Sequence, residues 1–109
     1  MKIVVNRSKG TKENRDSCEC GYKLSKEACD MLGVTEPYSF YNQEERTNQK
    51  LIEVIELLQE RANGDTADLR VVEVPDTLES VDESGHRVRH WHLSETLGFE
   101  VIRENHRFW

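Results

Sequence analysis

The sequence contains little of what several classes of protein require. Its three cysteines are too few, and odd in number, for the paired framework of a small secreted disulfide protein. No apolar run approaches the roughly 18 residues of a membrane span, and the first residues lack the apolar core of a signal peptide. We therefore expect a cytoplasmic protein that makes no contact with a membrane.

Motifs of catalysis and of phosphate binding are also missing. Neither of the glycine-rich loops G-x-G-x-x-G and G-x-x-x-x-G-K-[ST] occurs. No Ser-His-Asp, Cys-His or paired-carboxylate grouping has a spacing typical of catalysis. We therefore predict that the protein is not an enzyme and carries no cofactor.

The chain is acidic, with a net charge of −6, but the charge is unevenly distributed. Residues 1–27 hold seven Lys or Arg against four Asp or Glu, and residues 28–85 hold four against fourteen. Residues 86–109 hold four against three, together with all four histidines. This distribution argues against binding to duplex nucleic acid, which favours a broad basic face. It is compatible with a small phosphorylated ligand held by a few arginines.

Length and periodicity predict one small α+β domain covering residues 1–109. Hydrophobic residues are 36 % of the chain and charged residues 33 %. We therefore expect a small core that is stabilised by contacts with partner subunits in a homo-oligomer. The polar residues 7–20 predict a mobile loop. The predicted strands are 2–6, 69–74, 87–93 and 99–104, and the predicted helices are 25–32 and 42–62. Residues 96–98 predict a hairpin between the last two strands, with Gly98 at its turn. The order of these elements predicts a small antiparallel or mixed sheet of about four strands, with two helices packed on one face.

The longer helix rests on two signals. Leu51, Val54, Ile55 and Leu58 recur at the spacing that makes one apolar stripe. Asn42, followed three residues later by a glutamate, has the spacing of a capping box, which predicts that the helix begins there.

The cysteines and histidines support a weaker hypothesis, a zinc-stabilised structural protein. Cys18, Cys20 and Cys29 could bind zinc together with a histidine, because thiolates and imidazoles are the usual zinc ligands. Only one residue separates the first two cysteines, which is less than structural zinc sites favour. Free thiols in a reducing cytosol are the preferred interpretation, and we predict no metal.

The run His90-Trp91-His92 lies on a predicted strand, where side chains alternate between the two faces. Both imidazoles would share one face and the indole would take the other. The histidines could bind a metal or a ligand, but a solvated face opposite a packed tryptophan is the commoner outcome.

The C-terminal segment combines arginines with aromatic residues. If the last strand continued to Arg107, then Arg103 and Arg107 would share one face. Guanidinium groups match phosphate oxygens, and Trp109 would add a platform for a base, so the segment could form a nucleotide pocket. In the alternative, the terminal aromatic pair packs on the core and the arginines pair with Glu100 and Glu104.

Several separated segments of the chain occur in a fixed order. They are Lys2-Ile3-Val4-Val5-Asn6, Gly21-Tyr22-Lys23-Leu24-Ser25, Leu51-Ile52-Glu53-Val54-Ile55-Glu56-Leu57-Leu58, Ala62-Asn63-Gly64, Leu69-Arg70-Val71-Val72-Glu73-Val74-Pro75-Asp76, Gly98-Phe99-Glu100, Glu104, His106-Arg107 and Trp109. Together they resemble a family of small phage and prophage proteins over most of the chain. Residues 7–20 look like an insertion relative to that family, and Thr96-Leu97-Gly98 replaces its Tyr-Asp-Gly hairpin.

The basic and aromatic C-terminus makes the chain similar to the anti-Thoeris sponge proteins of the first type. Those phage proteins sequester the cyclic ADP-ribose isomers made by bacterial TIR enzymes, and some also bind the cyclic oligonucleotides of CBASS defence. The resemblance implies an immune-evasion protein in the cytoplasm of an infected bacterium. It also implies assembly as a dimer or hexamer and binding of the signal without cleavage.

On this hypothesis we assign candidate ligand-binding roles by chemistry. Arg103 and Arg107 would contact phosphate oxygens, and Asn6 would donate from its amide. His106 would add a charge-assisted hydrogen bond at mildly acid pH. The stacking candidates are Trp109, Trp91 and Tyr22. We place the pocket at a subunit interface, because a core this small leaves little room for a cavity.

A second hypothesis comes from the acidic middle of the chain. Glu53, Glu56 and Glu60 occupy the polar face of the longer predicted helix. They could make the protein an interaction module that inhibits a host enzyme.

Overall fold

The computed structural model describes residues 1–8, 21–64, 67–96, 99–104 and 107–109. These residues form an α+β fold with two helices and seven strands in three small antiparallel sheets. The strands are β1 (Lys2–Asn6), β2 (Leu69–Glu73), β3 (Glu79–Val81), β4 (Arg87–Arg89), β5 (His92–Thr96), β6 (Phe99–Glu104) and β7 (Arg107–Phe108), and the helices are α1 (Lys26–Leu32) and α2 (Gln49–Leu58). The predicted class and the two helices are confirmed. The prediction of about four strands in one sheet is corrected to seven in three.

Strand β1 lies between two hydrophobic clusters, because its side chains alternate between two buried faces. Val4 faces the first cluster, which contains the apolar residues of both helices. Ile3 and Val5 face the second cluster, which contains Trp91 and Ile102. Strand β2 pairs with β1 and continues both faces. The helices therefore pack on one face of the β1–β2 ribbon, and residues from β5 and β6 cover the other.

The ends of α1 follow from local chemistry. The hydroxyl of Ser25 accepts a hydrogen bond from the amide of Ala28 at 3.1 Å, as expected of an N-cap. Gly33 ends the helix in the left-handed conformation, with φ at 72°, which glycine adopts without a steric penalty.

Helix α2 is shorter than predicted. The cap is Asn48, whose side-chain oxygen accepts from the amide of Leu51 at 3.1 Å, whereas Asn42 caps nothing and donates to Glu45. A separate 3₁₀ turn covers Gln43–Glu45, because the next residue, Arg46, is drawn into the interior. Gln59, with φ at 53°, ends α2 at its other side.

The predicted strand 87–93 is two strands, and β3 was not predicted at all. β4 pairs with β3. The strand is interrupted at His90 and Trp91, and β5 begins at His92. The break has a packing cause, because the indole of Trp91 enters the second cluster and leaves only 3 % of the residue exposed. The side chain of Gln43 holds this geometry by bonding the backbone of Trp91 and of Leu93.

The C-terminal strand does not continue to Arg107 as one extended run. β7 turns back and pairs with β6, so that Arg103 lies opposite Phe108 and Glu104 lies opposite Arg107. Residues opposite each other in an antiparallel pair share a face. Arg103 and Arg107 therefore lie on opposite faces, and the prediction that they share one is wrong.

The predicted loop 7–20 and the predicted hairpin 96–98 are described only in part. Arg7 pairs with Phe99 in an isolated bridge, and Ser8 is buried, while residues 9–20 lie outside the described residues. β5 and β6 form the predicted antiparallel hairpin, although Leu97 and Gly98 between them also lie outside. Neither helix has the length and apolar character that crossing a membrane requires, among the residues described.

A buried ion pair links the segment before α2 to strand β6. The guanidinium of Arg46 donates to the two carboxylate oxygens of Glu100, from Nη1 at 2.7 Å and from Nη2 at 2.9 Å. Its Nε donates to the carbonyl of Tyr41 at 2.9 Å, and its charged carbon lies 4.3 Å from the ring centre of Tyr22. Only 1 % of Arg46 is exposed.

The same pair covers the outer edge of β1. The amide of Val4 donates to the carbonyl of Arg46 at 2.9 Å, and Nη1 of Arg46 donates to the carbonyl of Val4 at 3.2 Å. The amide of Asn6 donates to Oε1 of Glu100 at 2.6 Å. The pair therefore takes the place that a neighbouring strand would fill, because a buried amide without a partner costs free energy.

We predict that Glu100→Gln lowers the free energy of unfolding by about 3–5 kcal/mol, because it leaves the Arg46 charge buried without its counter-ion. Urea denaturation measures this loss. The matched control is Glu56→Gln at the exposed Lys2–Glu56 pair, which should cost less than about 1 kcal/mol. Equal losses at the two positions would contradict the role assigned to the buried pair.

Candidate functional site

One face of the β5–β6–β7 sheet gathers arginine and phenylalanine side chains. Facing residues in antiparallel strands share a side, as do residues two apart along one strand. The registers β5–β6 and β6–β7 and the Arg7–Phe99 bridge therefore place one set of side chains together. We call this set the arginine face: Arg7, His92, Ser94, Thr96, Phe99, Val101, Arg103 and Phe108.

Each arginine of this face lies against a phenylalanine ring. The charged carbon of Arg7 is 5.1 Å from the ring centre of Phe99, and that of Arg103 is 5.0 Å from the ring centre of Phe108. These distances are within the range of cation–π attraction. Phe99 and Arg103 are four residues apart on one strand, roughly 13 Å between their Cα atoms. The face therefore holds two fixed guanidinium groups, one near each end of β6.

Neither arginine of the face forms an ion pair among the residues that the structure describes. In both, Nε is buried and lacks a hydrogen-bond acceptor. The alternative in which the terminal arginines pair with Glu100 and Glu104 is not seen, because Glu100 binds Arg46 and Glu104 forms no ion pair among the described residues. Burial lowers the pKa of Arg7, and the charge of Glu100 offsets part of this effect. Nε of Arg89 is in the same state, so the feature that sets Arg7 and Arg103 apart is the lack of an ion pair among the described residues.

Arg89 provides an internal comparison. Its charged carbon lies 4.8 Å from the ring centre of Trp91, so it is stacked in the same way. Unlike the arginines of the face, it has carboxylates nearby, at 3.6 Å in Glu79 and 3.9 Å in Glu44. Stacking on an aromatic ring therefore does not by itself indicate a binding site. Arg7 and Arg103 differ from Arg89 because neither has a carboxylate partner among the described residues.

The other C-terminal residues predicted to bind the ligand do not lie together. Arg107 is exposed on the opposite side of the sheet, and Trp109 packs against the second hydrophobic cluster. Backbone hydrogen bonds between Trp109 and Ile102, at 2.7 and 2.8 Å, hold the chain end in place. His106, the remaining candidate in this segment, lies outside the described residues.

Three predicted ligand contacts are buried inside this chain. The ring of Tyr22 lies under Arg46, its hydroxyl donates to the carbonyl of Ser39 at 2.6 Å, and burial raises its pKa. Asn6 donates from Nδ2 to Ser8 and accepts at Oδ1 from Asp68. Trp91 fills the second cluster. In the single chain these side chains support the fold and do not reach a surface ligand.

A groove with a different lining lies elsewhere in the described residues. It measures about 730 Å³ and has an aromatic lining that carries one carboxylate and no basic side chain. Phe40 in this lining has φ at 64°, which is uncommon for a bulky residue. An anion would find no cationic partner there. The lining residues are Val34, Tyr38, Ser39, Phe40, Tyr41, Asn42 and Glu45.

The zinc hypothesis gains no support from the described part of the chain. Cys29 is buried, its thiol lies 3.6 Å from the carbonyl of Glu36, and burial raises its pKa. No group of three or more ligating side chains occurs among these residues. Cys18 and Cys20 lie outside them.

The two histidines of the His90-Trp91-His92 run do not lie on one strand. His90 precedes the break and its Nε2 lies 2.9 Å from the hydroxyl of Ser80, whereas His92 begins β5 beside Arg103. Both are exposed and Trp91 is buried, as the solvated-face interpretation predicts. Of the two, His92 belongs to the arginine face.

The predicted acidic face is present in part on α2, where Glu53 and Glu56 are exposed and Glu56 accepts a salt bridge from Lys2 at 3.1 Å. Glu60 is also exposed, but it lies in the 3₁₀ turn Gln59–Ala62 beyond the end of α2. Leu57, on the same side, has 66 % of its surface exposed. This face provides a charged surface and no enclosed site.

Sequence reasoning missed Arg7 and Phe99 as members of the site, and it considered Phe108 only as part of the terminal aromatic pair. Arg7 was assigned to a loop, although it directly follows a β-branched strand and could have been placed as its continuation. The pairing of Phe108 with Arg103 depends on the turn between β6 and β7, which has no strong local signal. Comparison with family models, with curated proteins and with solved structures found no match for this chain.

We predict that Asn6→Ala destabilises the protein, because it removes a buried acceptor from Asp68 and a donor to Ser8. The expected loss is about 1–3 kcal/mol in the free energy of unfolding, measured with urea. Asn42→Ala is the control, since that side chain is exposed and bonds only Glu45. Unchanged stability for Asn6→Ala would contradict the structural role assigned to its side chain.

Proposed function

We propose that this protein binds a small cyclic nucleotide signal through its arginine face and sequesters it without cleavage. The ligand class follows the sponge proteins that the sequence resembles, whose ligands include cyclic ADP-ribose isomers. The observation that carries the proposal is the pair Arg7 and Arg103, each stacked on a phenylalanine and each without a carboxylate partner among the described residues.

The chemistry of the face suits a ligand with negative oxygens and flat rings. A guanidinium whose face lies on an aromatic ring still has N–H groups at its edge, and these donate to phosphate in a fork. Phe99 is half-buried and Phe108 is exposed. His92 next to Arg103 adds a further donor. Both arginines are held in place before the ligand arrives, which lowers the entropic cost of binding.

A sponge also has to enclose its ligand, and the arginine face is open in a single chain. We propose that a second copy closes it, in a dimer or hexamer, because a ligand trapped between subunits leaves slowly. Slow release sets the affinity of most tight complexes. In such an assembly Arg107 of a neighbouring copy could approach the ligand from the other side.

We predict that a cyclic ADP-ribose isomer raises the melting temperature of the purified protein, and that mass spectrometry recovers the ligand intact after heating. Bound ligand stabilises the folded state by mass action. Recovery of a cleaved product would favour an enzyme and would contradict sequestration.

We predict that Arg7→Gln and Arg103→Gln each weaken this binding by about 10- to 150-fold, since a hydrogen bond to a charged group contributes about 1.5–3 kcal/mol. Isothermal titration calorimetry measures the change. The matched control is Arg70→Gln, an exposed arginine already paired with Asp68, which should bind as the unaltered protein does. Unchanged affinity in both Arg7→Gln and Arg103→Gln would exclude the arginine face as the site.

A further inference from the structure

Hydrogen-bond alternation fixes which backbone groups of β2 point away from β1. In an antiparallel ladder, every second residue exchanges hydrogen bonds with its partner strand. The amide of Arg7 donates to Asp68 at 2.8 Å, and the amide of Val74 donates to Met1 at 2.8 Å. These two bonds lie at the two ends of β2. They show that the amides and carbonyls of the even-numbered residues of β2 point towards β1. The amides and carbonyls of the odd-numbered residues, Leu69, Val71 and Glu73, therefore point outward.

The two strands treat their outer edges differently. On β1 the outward amide and carbonyl of Val4 and the amide of Asn6 bond the Arg46–Glu100 pair. On β2 only the amide of Leu69 is satisfied, by the side-chain oxygen of Asn63 at 2.8 Å. Among the described residues, the amides and carbonyls of Val71 and Glu73 have no partner on this side. The edge of β2 can therefore accept one more strand.

A groove runs beside this open edge. It measures about 400 Å³ and lies between β2 and the end of α2. A strand added there would present the side chains opposite Val71 and Glu73 to α2, because facing residues share a side. Lys2 already shows this orientation, since it lies opposite Glu73 and its Nζ reaches Glu56 on α2.

The charge of the groove indicates the partner. Its lining includes the carboxylates of Glu56, Glu60 and Asp68 and one basic residue, Arg70, which bonds Asp68 at 2.9 Å. The acidic side chains Glu56 and Glu60 come from α2 and its end, the side that alternate residues of an added strand would face. Basic side chains at every second position of that strand would meet them.

We infer that the outer edge of β2 docks an extended segment of a partner protein whose alternate residues are lysine or arginine. Such strand addition takes its affinity from main-chain hydrogen bonds and its specificity from alternate side chains. The site lies on a different sheet from the arginine face, and the inference does not depend on nucleotide binding.

A second copy of this chain is a poorer occupant of the same edge. Antiparallel pairing of β2 with its own copy, about a two-fold axis perpendicular to the sheet, would bring two acidic helix faces onto one side. It would also place Glu73 of the copy on that side. Like charges facing each other across strands are destabilising.

The test uses two synthetic hexapeptides, Lys-Thr-Lys-Thr-Lys-Thr and Glu-Thr-Glu-Thr-Glu-Thr, with the full-length protein. We expect the lysine peptide to shift the NMR signals of the Val71 and Glu73 amides and to slow their hydrogen exchange. The glutamate peptide should bind at least about tenfold more weakly. This measurement needs no variant, so it does not depend on how a substitution folds.

A backbone variant gives a second measurement. Val71→Pro removes an outward amide that the β1–β2 ladder does not use, so the fold should persist while the lysine peptide binds about tenfold more weakly. Val71→Thr keeps the amide and is the control, with binding unchanged. Retained β1–β2 amide signals would show that the proline variant has folded.

Three results would overturn the inference. One is equal binding of the two peptides, or no binding of either. Another is binding of the lysine peptide with protected amides away from Val71 and Glu73. The third is a protein that self-associates in sedimentation equilibrium and becomes smaller only in Val71→Pro, which would make the occupant a second copy.

Discussion

The ion pair between Arg46 and Glu100 is the interaction on which the rest of this structure depends. Two charges removed from water carry a large desolvation cost, which only complete hydrogen bonding offsets. Here the guanidinium bonds both carboxylate oxygens and two backbone carbonyls, and it lies on the ring of Tyr22. The pair connects the segment before α2, strand β1 and strand β6, which are distant in the sequence.

The pair also determines the electrostatics of the proposed site. Glu100 and Glu104 are the two carboxylates of the predicted last strand, and Glu100 lies on β6 next to Phe99. Because Arg46 takes both of its oxygens, the arginine face keeps its positive charge without a direct counter-ion among the described residues. A core interaction thus leaves Arg7 and Arg103 available to a ligand, although neither touches the pair's arginine.

The β1–β2 ribbon separates two surfaces with opposite chemistry. On one side of the molecule the sheet of β5, β6 and β7 presents stacked arginines, which suit anions. On the other, the edge of β2 and the end of α2 present carboxylates beside unpaired backbone groups, which suit a basic strand. The ion pair covers the edge of β1 at Val4 and Asn6, whereas the outward groups of Val71 and Glu73 on β2 have no partner among the described residues. We therefore expect an added strand to pair with β2.

Local chemistry determined much of the fold. The hydroxyl of Ser25 and the left-handed Gly33 fixed α1, and the apolar stripe identified α2. The β-branched runs identified β1 and β2, since such side chains suit a buried pleated surface. These signals depend on residues within a few positions of one another, and a sequence displays them directly.

Tertiary structure decided the start of α2, the split at Trp91 and the arginine face. Asn42 has the spacing of a cap, but Arg46 enters the interior to bond Glu100, and Asn48 caps the helix instead. The reversal after β6 separates Arg103 from Arg107, because the chain end gains backbone hydrogen bonds with Ile102 and packs Trp109 on the core. Each of these outcomes depends on contacts between residues that are far apart in the chain, and a pattern within a few residues does not predict such contacts.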